Sequence, residues 1–260
     1  MRTTTDAVLR ELRVAARGLA RRPLFSGVVI ATLAASLGAA TLLFSVLEGV
    51  LLRPLPYPDP DRLVNVHATN EEWRTSENAA LRRNWDRYGT TLTQVRALAR
   101  SDAVNALGAS SGDLVVLEQG GPTEEVRIEH VTAGLFDALD VEPVLGRLPS
   151  ADEHAEGARV AVLSHRLWTD RFGRDPEVLE GTVRFDGEPW VVIGVMPAGF
   201  HFPYEEVAAW TPLTPLLLEN GPRWALFQAV ARLAPGVDVH RATEALRAVN
   251  DRLVVSDPGL

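Results

Sequence analysis

Between Leu24 and Leu47 the chain carries no charged residue. A helix of about 24 residues is roughly 36 Å long, more than the roughly 30 Å of a bilayer's hydrocarbon core. The pattern predicts a membrane-spanning helix over residues 24–51. Gly27, Ala31, Ala34, Gly38, Thr41, Ser45 and Glu48 recur at alternating spacings of four and three, which gathers small and weakly polar side chains into one stripe. Leu33, Leu37, Phe44, Leu47 and Leu51 fall on the other faces. Lipid offers no hydrophobic drive for helices to associate, and small side chains let backbones approach closely. The stripe is therefore the expected packing face toward other helices. Glu48 stands at the outer boundary, where a carboxylate can snorkel to water.

Beyond this run the pattern changes. "RPLPYPDPDRL" holds four prolines, cannot continue a helix and predicts a stiff, extended exit. "LVNVH" (Leu63–His67) alternates like a short strand. Ser76–Gly89 reads as a helix with Ser76 as N-cap and Gly89 as its stop. Thr90–Ala109 shows no decisive period. Leu114–Glu118 and Glu124–Val131 read as hairpin strands around Gly120-Gly121-Pro122. "TAGLFDALDV" predicts a short helix capped by Thr132 that buries Leu135, Phe136 and Leu139. "RVAVLSHRLWTDRFG" is a buried strand running into a helix, with Ser164 as N-cap and Gly173 as stop. "GTVRFDGEPWVVIGVMP" is the clearest hairpin, since Asp186-Gly187 suits the positive-φ positions of a tight turn. "AAWTPL" predicts another strand, and the chain closes with a strand, a Pro-Gly turn and an amphipathic helix. Hairpins mixed with short helices make residues 52–260 an α+β domain.

Composition narrows the setting. The 260 residues allow a sizeable core and one or two domains. With no cysteine, disulfides and thiolate metal sites are excluded. All 26 basic residues are arginines; without lysine no P-loop can exist in this chain. The net charge of −8 hides an asymmetry. Residues 1–23 hold Arg2, Arg10, Arg13, Arg17, Arg21 and Arg22 against Asp6 and Glu11, which leaves about −12 on the remainder. Arginines before an apolar run place the N-terminus in the cytoplasm and everything after Leu51 outside. A cleaved secretion signal is the main competing reading. Its apolar region is typically about 7–15 residues with a small-x-small cleavage site, and "EGVLLRPLPYP" offers none. An acidic body also disfavours nucleic acid as a partner.

Chemistry is sparse. His67, His130, His154, His165, His201 and His240 lack metal-ligand spacing. Ser164-His165 sits at a strand-to-helix junction where the serine has a capping role. Asp59 and Asp61 lie between prolines in a turn. The six tryptophans fall mostly in element cores by pattern. No catalytic, cofactor-binding or metal residue is assigned.

Several blocks together resemble one family. "LARRPLFSGVVIATLAASLGAATLLFSVLEGVLLRPLPYPDPDRLV" is similar to the start of an FtsX-like, MacB-type ABC transporter permease. "VTAGLFDALDVEPVLGR", "VAVLSHRLWTDRFGRDP", "GTVRFDGEPWVVIGVMPAGFHFP" and "AVARLAPGVDVHRATEAL" resemble its later blocks in order. The resemblance covers nearly the whole chain. It implies a MacB-like periplasmic core domain on a first transmembrane helix in the bacterial inner membrane, without catalytic residues. It implies as partners a cytoplasmic ABC ATPase subunit, and further permease helices or a second permease subunit. It also gives the basic segment 1–23 an amphipathic place on the cytoplasmic lipid surface, through Arg10, Arg13, Arg17, Arg21 and Arg22. Such permeases commonly continue into three further spans, and no apolar run of about 18 residues follows Leu51. Two expectations stand: the front part of a permease, or a single-pass anchored binding or scaffold module.

Overall fold

The computed structural model describes residues 23–47, 57–69, 71–83, 85–87, 89–119, 121–213 and 227–256. The chain divides into two units, Met1–Leu55 and Pro56–Leu260.

Helix α1, Pro23–Leu47, is the described part of the first unit. Thr32, Ser36 and Thr41 each donate their hydroxyl to the carbonyl four residues back, at 2.8 Å. This back-bonding satisfies polar groups that hydrocarbon would leave without partners. Ser26–Ser45 is long and apolar enough to cross a membrane.

The second unit is α+β and is built on one sheet. Strand β1 (Leu63–Val66) forms one edge and pairs antiparallel with β9 (Gln228–Leu233). Next come β2 (Val104–Leu117), β3 (Glu124–Val131), β8 (Val207–Pro212), β5 (Val160–Leu163), β7 (Glu188–Val195) and the short β4 (Leu145–Gly146). Two pairings are parallel, β3 with β8 and β5 with β7. Strand β6 (Thr182–Phe185) returns from β7 and touches β2 where Phe185 faces Leu117. Strands β2, β3, β8, β5, β7 and β6 therefore close a circuit. Val115, Leu117, Ile128, Leu163, Val183 and Phe185 pack into one buried cluster on that circuit.

Six α-helices accompany the strands among the described residues of the second unit, with α2 at Ala79–Arg83 and α3 at Leu92–Leu98. Helices α4 (Gly134–Leu139), α5 (Ala151–Glu156), α6 (His165–Phe172) and α7 (Val239–Ser256) follow. Helices α3 and α7 cover the β1–β9–β2 end of the sheet, where Val66, Val95, Leu98, Leu107 and Ala231 form a second cluster. On the opposite face α4 lies directly against β2. Gly108 makes this possible: a Cβ there would stand 2.2 Å from the Leu135 backbone. Gly134 completes the approach, since its Cβ would meet the Leu107 carbonyl at 2.4 Å.

Several sequence expectations hold. Ser164 caps α6 by accepting from Leu167 N–H, and Gly173 ends it at φ 59°. Asp186 and Gly187 turn the β6–β7 hairpin at φ 49° and 76°. Others change. The helix expected over Ser76–Gly89 shrinks to Ala79–Arg83, because Asn78 accepts from Ala80 N–H at 2.9 Å and sets a later start. The undecided Thr90–Ala109 stretch contains α3, whose Thr91–Gln94 capping box is complete, and the start of β2. Strand β2 begins ten residues before the expected Leu114. Its glycines and serines weaken strand propensity, but pairing on both sides overrides that. Thr132 does not cap α4; its Oγ1 accepts from Ala109 N–H at 2.9 Å and ties the loop to β2.

One carboxylate is buried. Glu129 on β3 is 1 % exposed, opposite Gly112 on β2. Burial pushes its carboxyl up from the usual carboxylate range, opposed by the neighbouring Ser110 hydroxyl and the Arg127 charge. Ser110 Oγ itself makes no well-formed hydrogen bond. A carboxyl whose folded pKa is raised costs stability once pH exceeds its unfolded value of about 4.3. Glu129→Gln should therefore stabilise the full chain at pH 7.5 in urea unfolding, with the gain vanishing as pH falls below about 4. Gly108→Ala should destabilise it by about 2–3 kcal/mol in the same assay, because the added methyl meets backbone.

Candidate functional site

The second unit begins in the proline-rich exit, and its first residues are pinned to the domain. Prolines remove backbone donors and fix φ, so residues 57–62 cannot anchor themselves by a sheet ladder. Side chains do it instead. Tyr57 donates its hydroxyl to the His201 carbonyl at 2.7 Å and meets Phe200 edge-on at 6.3 Å. Phe200 in turn packs on Trp210, with centroids 4.9 Å apart, and Trp210 is fully buried with Nε1 donating to the Phe202 carbonyl. Burial holds the Tyr57 phenol up to about 12, so it remains a donor.

Two arginines complete the clamp. Arg232 on β9 is 4 % exposed. Its Nε donates to the Ala138 carbonyl near the end of α4 at 2.9 Å, and its Nη1 to the Pro58 carbonyl at 2.8 Å. Arg62 donates back, from Nε and Nη2, to the carbonyl of Leu233 at 3.1 and 2.6 Å. Asp59, at φ 45°, turns the chain between these contacts and lies 3.7 Å from Arg62. The planar guanidinium suits this work, since it offers several fixed donors at once. One Arg232 group, Nη2, has no hydrogen-bond partner among the described residues.

The residues singled out from sequence are distributed differently. Gly27, Ala31, Ala34, Gly38, Thr41 and Ser45 lie exposed on α1, and a Cβ at Gly27 or Gly38 would meet nothing within 4 Å. Glu48, Arg10, Arg13, Arg17, Arg21 and Arg22 lie outside the described residues. Ser164 and His165 diverge: the serine caps α6, while His165 lies 3.3 Å from Thr169 Oγ1 and edge-on to Trp168. His130 is buried against Thr211, and burial lowers its pKa. No group of three or more metal-ligating side chains gathers among the described residues. The pattern expects the tryptophans mostly in element cores, but of those described only Trp210 is buried; Trp73, Trp85, Trp168 and Trp190 are half-buried, and Trp224 lies outside the described residues. Of the clamp residues Arg232 is the least visible from pattern, although an arginine inside the apolar strand "QAVARLA" is the signal that marks it.

Arg232→Met would leave the buried Ala138 carbonyl without this donor and release the Pro58 carbonyl. It should lower stability by about 2 kcal/mol and speed hydrogen exchange of amides 61–66 well beyond any change in the β6–β7 hairpin. Equal acceleration in both regions would show a general weakening rather than a released clamp.

The family described as MacB-like periplasmic core domain matches residues 26–249. No curated protein matches the chain. Among solved structures, the periplasmic region of MacB from Actinobacillus actinomycetemcomitans aligns with a TM-score of 0.57 at 16% identity, covering 74% of this chain and 84% of that one. The extracellular domain of the noncanonic ABC-type transporter YknZ from Gram-positive bacteria aligns with a TM-score of 0.56 at 17% identity, covering 74% of this chain and 94% of that one. At these identities the structural likeness speaks for the α+β fold, and the match over residues 26–249 settles the lineage: the chain belongs to the MacB-like periplasmic core domain family of ABC-type permeases.

Proposed function

We propose that the chain is a membrane subunit of a MacB/FtsX-type ABC permease, or its N-terminal part. In this reading residues 1–23 lie on the cytoplasmic surface, residues 24–51 span the inner membrane and residues 52–260 form the extracytoplasmic domain. A partner ATPase hydrolyses ATP in the cytoplasm, and the resulting helix movement reaches the outer domain for export or mechanical signalling. The observation that carries the reading is the clamp. Arg62, Arg232 and Tyr57 fasten the exit segment to β9, α4 and the Phe200–Trp210 pair, so displacement of that segment must move the domain core with it. The exposed stripe from Gly27 to Ser45 supports packing against further permease helices or a second subunit.

Affinity purification of the full chain from its native membrane after crosslinking tests the proposal. A P-loop ATPase should accompany it, and Gly38→Leu should deplete other membrane subunits from the preparation by about tenfold while leaving expression unchanged. Recovery of the chain with no ATPase would overturn the coupling reading in favour of an anchored module.

A further inference from the structure

Away from the clamp, α7 does not close fully over the sheet. A half-open cavity of about 650 Å³ remains between α7, α3 and the edge strand β1. Its apolar side is formed by Val64, Val66, Leu98, Leu233, Ala242 and Leu246. The size and mixed lining are those of a small-ligand site.

Hydrogen-bond accounting at the rim fixes the kind of ligand. Gln94 Oε1 accepts from the Thr91 backbone N–H at 2.8 Å, which sets the orientation of that amide. Its Nε2 then donates to Asn250 Oδ1 at 2.9 Å, which sets the second amide in turn. The Asn250 NH₂ is left facing no acceptor among the described residues. Thr243 spends its hydroxyl on the Val239 carbonyl, and Thr91 accepts from Gln94 N–H. Arg247 and His67 also line the cavity, and neither has a hydrogen-bond or ion-pair partner among the described residues. No Asp or Glu lines it. Asn65, His67, Thr69 and Arg247 stand at the exposed mouth, where water serves them in the unliganded chain. Gln94 is fully engaged, and the Arg247 guanidinium and the Asn250 NH₂ present donors to a cavity that no carboxylate lines.

We propose that this cavity binds a small aliphatic carboxylate, with its chain on the Val64–Val66–Leu233 floor and its head on Arg247 and the Asn250 amide. A carboxylate replaces the water on Arg247 with two parallel bonds and meets no opposing charge in the lining. The site is independent of ATP coupling and stands whether or not the chain works with an ATPase.

The test uses the full chain in phosphatidylcholine nanodiscs, with labelled octanoate in equilibrium dialysis and empty nanodiscs as background. Saturable binding of one octanoate per chain is expected. Arg247→Glu, an exposed position, should weaken it at least tenfold, the scale of a lost charged hydrogen bond. Leu246→Trp, which fills the cavity, should abolish it with the circular dichroism melt retained; if that variant misfolds, Arg247→Glu still decides. No saturable binding above background overturns the proposal. Undiminished binding by Arg247→Glu, or equal displacement by neutral octanol and by unlabelled octanoate, overturns it too.

Discussion

A guanidinium buried without a carboxylate is the constraint around which the outer domain is arranged. Taking an ion from water into a protein interior costs several kcal/mol even after relaxation. Arg232 meets that cost with carbonyl oxygens, one at Ala138 near the end of α4 and one at Pro58 in the exit segment. The Ala138 carbonyl belongs to the last turn of a helix, where orphan carbonyls concentrate partial negative charge. Each partner solves a problem for the other. The helix end gains a donor, the proline segment gains an anchor, and the cation gains two acceptors. Removing any one leaves a buried polar group unmatched, which is why the three elements hold one relative position.

That position depends on close backbone approach elsewhere. Helix α4 can offer its last carbonyls to Arg232 because its first turn sits directly on β2, and only glycine at 108 and 134 permits that contact. Thr132 supports the same seat by exchanging bonds with Ala109, its N–H donating to the Ala109 carbonyl and its hydroxyl accepting from the Ala109 N–H. A short helix of this kind has little intrinsic stability, and packing supplies nearly all of it. Leu135, Phe136, Ala138 and Leu139 are all buried. The clamp is thus the outer end of a chain of contacts that starts at the middle of the sheet.

Local chemistry made much of this architecture legible. Asp186-Gly187, Ser164 and Gly173 act through backbone geometry within a few residues, so their roles can be read where they stand. The α+β class follows from the same signals. Thr91-x-x-Gln94 was equally local, yet the surrounding stretch lacked a clear period and the capping box went unused. The pattern shows only the last four of the fourteen residues of β2, because Gly108, Ser110, Ser111 and Gly112 have poor strand propensity; non-local pairing with β3 and β9 decides their state. The clamp was the least legible. Arg232 and Pro58 are 174 residues apart in sequence, as Arg62 and Leu233 are 171. No local pattern encodes such a pair. Only the misfit of an arginine in an apolar strand hints at it.

The edge of the sheet joins the two features of the outer domain. Strand β1 starts at Leu63, directly after Arg62, and its Val64 and Val66 then line the cavity beneath α7. Leu233 serves both: its carbonyl receives Arg62, while the residue itself borders the same cavity. Strand β9 carries Arg232 one position earlier, and its antiparallel register places Arg232 opposite Leu63. The exit segment and the cavity therefore bear on the same two strands, within a few residues of each other. By holding the Leu233 carbonyl, Arg62 therefore also fixes a residue on the border of the cavity.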